Sequence, residues 1–390
     1  MMTYNFNKII DRTNTSSVKY DLRELIFGQE DVLPMWVADM DFETPDFIRD
    51  AVKNRADHAI YGYTFRGESY YQSIIDWFKA RYNWKIEKES IVFSPGIVPA
   101  VNMAVLALTN PGDRIIVQPP VYFPFFTAVS NHNRELVHNQ LINQDGNYSM
   151  DFELLEQQAK DARMLILCNP HNPVGRAWRS DELEKLAAIC LRNNLLVISD
   201  EIHADLVLPG YKHTPFASVH SDLKASTLTM HAASKTFNLA GLATSAIIIE
   251  EETLRNQFKQ FVAFLHVDMG NLFGAVATET AFNEGDEWLT EMLDYVHDNI
   301  VFFADSMAEK LPRLKVYKPE ATYMVWLDFS LFGLNDDELK DKIIKEAGLG
   351  LNAGIDFGPG GSQFMRINLA CPRQIVELAV SKIYQAFSNL

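Results

Sequence analysis

Runs that are apolar at every position recur through the middle of this chain, Leu165-Ile166-Leu167 and Leu195-Leu196-Val197-Ile198 among them. Such runs fit neither face-alternation nor a helical stripe and predict interior strands buried on both sides. Strands are expected at 114–118, 163–168, 195–199, 227–231 and 244–249. Helix-period segments are expected at 44–55, 68–82, 97–108, 123–131, 151–160 and 181–193. Strand and helix alternate, which predicts an α/β fold: a largely parallel central sheet with helices on both faces.

Beyond residue 252 the pattern shifts to long helices, at 252–265, 272–283 and 287–311. Strand-like pieces at 323–329 and 364–369 then alternate with helices at 336–347 and 372–387, as in a smaller α/β domain. The first 45 residues look irregular apart from an extended apolar piece, Leu33-Pro34-Met35-Trp36-Val37-Ala38. The expected division is an N-terminal segment, 1–45, contributing to the small domain and the substrate site. A large domain, 46–285, and a small C-terminal domain, 286–390, follow. A chain of 390 residues exceeds one ordinary compact domain, in keeping with that division.

Several polar residues interrupt this pattern where chemistry is concentrated. The apolar run before Ser199 ends on Asp200, and Lys235 follows the apolar run Leu228-Thr229-Met230 in a glycine- and alanine-rich turn. Asn172 lies in Asn169-Pro170-His171-Asn172-Pro173-Val174-Gly175, just after another such run. Ligands of open α/β sheets bind where strands end at their carboxyl edge. A lysine, an acid and an amide so placed form the set that holds pyridoxal phosphate (PLP). The lysine makes the Schiff base, and the acid keeps the ring nitrogen protonated. Taken singly, each has a plainer reading: a surface lysine, a turn-capping Asp200, an Asn172 bonded to its own backbone.

Further candidates surround these three. Ser94-Pro95-Gly96-Ile97-Val98 opens a helix, and a helix start behind a glycine can cradle a phosphate. Ser234 is a further phosphate donor, and Tyr122 either stacks on the ring or is one more core aromatic. His203 is either an exposed turn residue or a donor to the ring's 3-oxygen. Arg366, in Phe364-Met365-Arg366-Ile367-Asn368, is a charge inside an apolar strand, so it requires a partner. A substrate carboxylate suits its forked guanidinium, and a structural ion pair is the rival.

Acids outnumber bases 51 to 35, a formal net charge of −16, which disfavours nucleic acid and anionic membrane surfaces as partners. Cys168, Cys190 and Cys371 match no metal or redox spacing, so no metal is expected, and the first two read as small buried thiols. The start, Met1 to Lys8, lacks the apolar core of a signal peptide, and a cytoplasmic location is expected.

With these blocks in place, the chain resembles the fold-type I, aspartate-aminotransferase-like PLP enzymes of the class I/II aminotransferase family over nearly its whole length. Within them it looks closest to the cystathionine β-lyase, or cysteine-S-conjugate β-lyase, branch. Trp36-Val37-Ala38-Asp39-Met40-Asp41-Phe42, Tyr61-Gly62-Tyr63, Ser199-Asp200-Glu201-Ile202-His203 and Ser234-Lys235-Thr236-Phe237-Asn238-Leu239-Ala240-Gly241-Leu242 carry that likeness.

The resemblance implies that Lys235 is the Schiff-base lysine, Asp200 pairs with the ring nitrogen, Asn172 contacts the 3-oxygen and Tyr122 stacks. Gly96, Ile97, Val98 and Ser234 would hold the phosphate. Tyr63, counted with Lys235 and Asp200 as catalytic, would reach the neighbour's phosphate in a homodimer with shared sites. Arg366 and the backbone of Ala38 would receive the substrate carboxylate.

Departures at three positions bear on the reaction. Typical aminotransferases carry a tyrosine at His203, a serine at Ala232 and an arginine at Ala243. The expectation is therefore a carbon–sulfur β-lyase releasing thiol, pyruvate and ammonia from a small amino-acid substrate, cystathionine or another cysteine S-conjugate. A class I/II aminotransferase is the alternative, and a PLP-fold regulator acting through a partner protein is the remoter one.

Overall fold

The structure, a computed structural model, describes residues 3–390. Its central sheet has seven strands: β1 (Ile91–Ser94), β2 (Arg114–Val117), β3 (Glu135–His138), β4 (Ala162–Cys168), β5 (Leu196–Asp200), β6 (Thr227–His231) and β7 (Ser245–Ile248). Their order across the sheet is β1-β7-β6-β5-β4-β2-β3. From β6 to β3 every pairing is parallel, and β7 alone runs against both of its neighbours.

The apolar runs are interior strands because alternate residues feed different cores. Met164 and Ile166 of β4 pack in a cluster with the helices Ile97–Leu108 and Glu252–Phe264. Leu165 and Leu167 face the opposite way, toward the helices Phe152–Ala159 and Ser180–Arg192. Each such side chain taken out of water contributes roughly 1.5–3 kcal/mol, so neither face of β4 tolerates a charge.

Two strands of the central sheet, β1 and β3, were not anticipated. β1 is four residues long, and β3 is an edge strand whose Glu135 and His138 are exposed, so neither carries a long apolar signature. The expected helix over 336–347 is instead a short α-helix, Asp336–Asp341, continued by a π-turn, Lys342–Glu346.

The smaller sheet is antiparallel, with β8 (Lys315–Tyr317), β9 (Met324–Asp328), β10 (Asn352–Ala353) and β11 (Phe364–Asn368) in the order β8-β9-β11-β10. The helices Asp286–Lys310 and Arg373–Phe387 cover it and share its core. The N-terminal segment is more ordered than its sequence suggests. It forms two short helices, Val18–Asp21 and Arg23–Phe27, and Leu33–Pro34 pairs in parallel with Leu349–Gly350. Phe6, Met35, Met40 and Phe42 enter the same core as the small sheet. Arg12 and Lys19 brace this segment through ion pairs of 2.7 Å to Asp41, and Arg12 also pairs with Asp39 at 2.7 Å.

Candidate active site

Parallel strands bring their carboxyl ends to one edge, and three turns leave that edge side by side. Cys168 at the end of β4 is in register with Asp200 at the end of β5, and Asp200 with Met230 of β6. The β4 turn carries Asn172, and Lys235 lies just past β6 in the short helix Ala233–Thr236. They surround one cavity of about 200 Å³, larger than the roughly 150 Å³ that suffices for a benzene ring. Ala38, Gly96, Ile97, Val98, Tyr122, Asn172, Asp200, His203, Ser234 and Lys235 all line it.

Burial sets the electrostatics. Lys235 Nζ donates to Ala38 O at 2.7 Å. Desolvation lowers its pKa to about 8, against the pull of Asp39 and Asp200 in the other direction. Asp200 is pushed up to about 7, chiefly by burial, even though Oδ1 accepts from Ile202 N at 3.1 Å. Among the described residues no cation forms an ion pair with it. His203 is driven down to about 3 by burial, then by the nearby charges of Lys235 and Arg366, so its imidazole is neutral. Its Nδ1 is buried without a hydrogen-bond partner among the described residues.

The helix Ile97–Leu108 starts at the cavity wall with no side chain capping it. Its third residue, Pro99, has no N–H, so the open donors at this end are Ile97 and Val98, with the Gly96 N–H beside them. Gly96 precedes them with φ +152°, a backbone conformation that L side chains rarely adopt.

Arg366 forms no ion pair among the described residues, which removes the structural-pair reading. Its Nη1 donates to Asn172 Oδ1 at 2.9 Å, and its Nη2 to Trp36 O at 3.0 Å and Asn352 Oδ1 at 2.6 Å. Phe357 lies 4.9 Å below the guanidinium, and Nε is buried without a partner. Burial lowers its pKa to about 10, leaving a cation with no anion.

Tyr63 is apart from this group. It is 98 % exposed and sits with Tyr61 and Met269 in a separate surface depression. Cys168 and Cys190 are buried, and so is Cys371.

Other contributors had no local signal in the sequence. Tyr323 donates to Ala38 O at 3.0 Å, and its ring lies 6.3 Å from that of His203. Asn238 and Asn368 hold the strip that carries Ala38. Asn238 Nδ2 donates to Met40 O at 3.0 Å, while Asn368 Nδ2 donates to Val37 O at 2.7 Å and Asp39 O at 2.6 Å. Behind Lys235, Thr236 Oγ1 donates to the fully buried Asp205 at 2.8 Å, and Asp205 also accepts from Trp77 Nε1 at 3.0 Å. All of these contacts join distant parts of the chain.

The residues present fit a phosphorylated pyridine aldehyde. An amine of lowered pKa faces the cavity with a buried carboxyl lacking a cation, uncapped helix donors and an orphaned imidazole nitrogen. A sheet of this topology with that set defines a fold-type I PLP enzyme. Residues 30–383 match the profile of the aminotransferases of class I and II, and the chain belongs to that family.

Its relatives narrow the picture. Cystathionine β-lyase PatB of Bacillus subtilis is 44 % identical over 98 % of this chain and 100 % of that protein. The crystal structure of cystalysin from Treponema denticola, which contains PLP, superposes with a TM-score of 0.97 at 36 % identity, covering 100 % of both chains. The PLP-bound C–S lyase of Staphylococcus hominis gives 0.93 at 34 % identity, covering 99 % of this chain and 98 % of that one. PLP is the cofactor of this enzyme.

Proposed function

We propose that the protein is a carbon–sulfur β-lyase of the cystathionine β-lyase type. It would release a thiol, pyruvate and ammonia from cystathionine or another cysteine S-conjugate, acting in the cytoplasm as a homodimer. The observation that carries this reading is the 44 % identity to PatB across the whole chain, and it is supported by a cavity lined by Lys235, Asp200 and Asn172, the last bonded to Arg366.

When bound, PLP supplies an electron sink for negative charge at the substrate α-carbon. Lys235 would hold it covalently, with the Ile97 and Val98 N–H groups and Ser234 on its phosphate and Tyr122 on its ring. Asp200, a carboxylate without a cation of its own, would accept the ring nitrogen's proton in a hydrogen bond and keep that nitrogen charged. Asn172 Nδ2 and neutral His203 would serve the 3-oxygen through hydrogen bonds. Arg366 receives the substrate carboxylate, which fixes the α-carbon next to Lys235. Free Lys235 Nζ, whose hold on a proton burial weakens, would then remove the α-proton as general base. The β-carbon–sulfur bond breaks, its electron pair leaves with the thiolate, and water completes the products.

The family's name favours a second reading, transamination, which shares every step through proton removal. The two separate in one assay. Purified holoenzyme with L-cystathionine is expected to release pyruvate and thiol without any added 2-oxo acid. Thiol release that appears only with a 2-oxo acid, or never, transfers the assignment to an aminotransferase.

A further inference from the structure

A second cavity, of about 380 Å³, opens beside the first. Arg366 joins the two. Its Nη1 bonds Asn172 in the wall of the first, while its Nη2 bonds Trp36 and Asn352 in the wall of the second. Tyr122 and Phe123 make a second junction, with ring centroids 5.4 Å apart and one ring lining each cavity. A substrate held at Arg366 therefore has two directions available for the rest of its length.

The lining of the second cavity is mostly apolar, with Ile26, Phe27, Ile344, Leu351 and Met365 contributing. Two charges stand in that lining, Lys340 and Asp356. Neither forms an ion pair or a side-chain hydrogen bond among the described residues. Nearby lysines behave differently: Lys342 pairs with Glu346 at 2.6 Å and Lys345 with Asp341 at 2.7 Å. Asp356 is raised above the ordinary carboxylate range by partial burial, which Lys340 offsets only in part. An apolar channel with one free cation and one free anion matches a ligand that is apolar along its length and zwitterionic at its end.

We propose that this second cavity is the leaving-group subsite, and that it receives a thiol bearing its own amino-acid terminus. Lys340 takes the terminal carboxylate and Asp356 the terminal ammonium, while the apolar wall accommodates sulfur and methylenes. The proposal rests on the β-lyase reading and deepens it. It selects amino-acid thioethers such as cystathionine over plain S-alkyl cysteines, which leave both charges without partners.

The test compares wild-type, Lys340→Met and Asp356→Asn holoenzymes on L-cystathionine and on S-methyl-L-cysteine, with pyruvate as readout. Because each variant removes a charge-assisted hydrogen bond to the leaving group, kcat/KM for L-cystathionine should fall about tenfold or more in each variant, with less than about twofold change on S-methyl-L-cysteine. Equal losses on both substrates, or none on either, overturn the subsite. If wild-type enzyme releases pyruvate from neither, the lyase reading fails on its own. The subsite is then judged from L-cystathionine dissociation constants, read through the bound cofactor's visible band. Weaker binding in both variants with L-alanine unaffected supports it, and unchanged binding overturns it.

Discussion

Arg366 decides which way the amide of Asn172 faces. A guanidinium has only donors, so the oxygen of Asn172 must meet Nη1, at 2.9 Å, and its NH₂ is directed elsewhere. The amide thereby becomes a donor available to the cavity it lines. Replacing Arg366 with Ala should raise KM for every amino-acid substrate about tenfold or more, since a charge-assisted contact contributes roughly 1.5–3 kcal/mol. Asn172→Ala should raise KM less, and it should also move the pH titration of the bound cofactor's visible band upward. A KM change in Asn172→Ala with no movement of the band would assign the amide to Arg366 alone.

Among the described residues, Lys235 is the one amine lining the candidate cavity. Lys235→Ala is expected to carry cofactor that borohydride cannot fix to the chain, while the wild-type protein gives a stable adduct at that residue. Turnover should fall by several orders of magnitude. Mass spectrometry of the reduced proteins checks the first point, and covalent label remaining in the variant would defeat the assignment.

The pH dependence of stability should report the uncompensated acid. Burial raises Asp200 from the ordinary carboxylate range to about 7, so the folded cofactor-free protein binds this proton more tightly than the unfolded chain. Its stabilising contribution is fully present below about pH 4 and is lost as pH rises through about 7. The melting temperature of cofactor-free wild type, minus that of Asp200→Asn, should therefore decline across this window. In the holoprotein, where a protonated ring nitrogen would stand beside the carboxylate, the decline should vanish. For catalysis, Asp200→Asn is expected to lower kcat about a hundredfold or more, close to 3 kcal/mol of barrier. Parallel melting curves for the two cofactor-free proteins would show that Asp200 is not held in this way.

Tyr63 tests assembly. At 98 % exposure it makes no side-chain hydrogen bond among the described residues, and Ile60, Tyr61, Phe65 and Met269 around it are exposed as well. Exposed apolar residues in such density suit a subunit contact. Tyr63→Phe and Lys235→Ala chains, each inactive alone, should regain part of the wild-type activity when mixed, because one hybrid site carries neither change. Verified subunit exchange without any recovery would confine each site to a single chain.

The sheet was legible where burial on both faces leaves no room for polar residues, as in Leu195 to Ile198. Edge strand β3 was not, because Glu135 and His138 answer to water rather than to a core. The same division holds in the site. Asp200 and Lys235 stand just past strand-like runs and Arg366 interrupts one, and each such polar residue needs a reason. Tyr323 interrupts nothing; its hydroxyl matters through Ala38, 285 residues earlier, and no local pattern records that pairing. Asp205, Asn238 and Asn368 were silent for the same reason: common polar residues whose partners are defined only by tertiary folding.

The grip of Asn368 on Val37, across 331 residues of sequence, also sets an order of events during synthesis. The strip around Ala38 leaves the ribosome early and waits, first for Asn238 and then for β11, before it is held on both sides. A nascent chain that already displays Lys235, Asp200 and the helix after Gly96 still lacks Arg366, the residue proposed to receive the carboxylate. Arg366 is thus supplied only when translation has nearly finished.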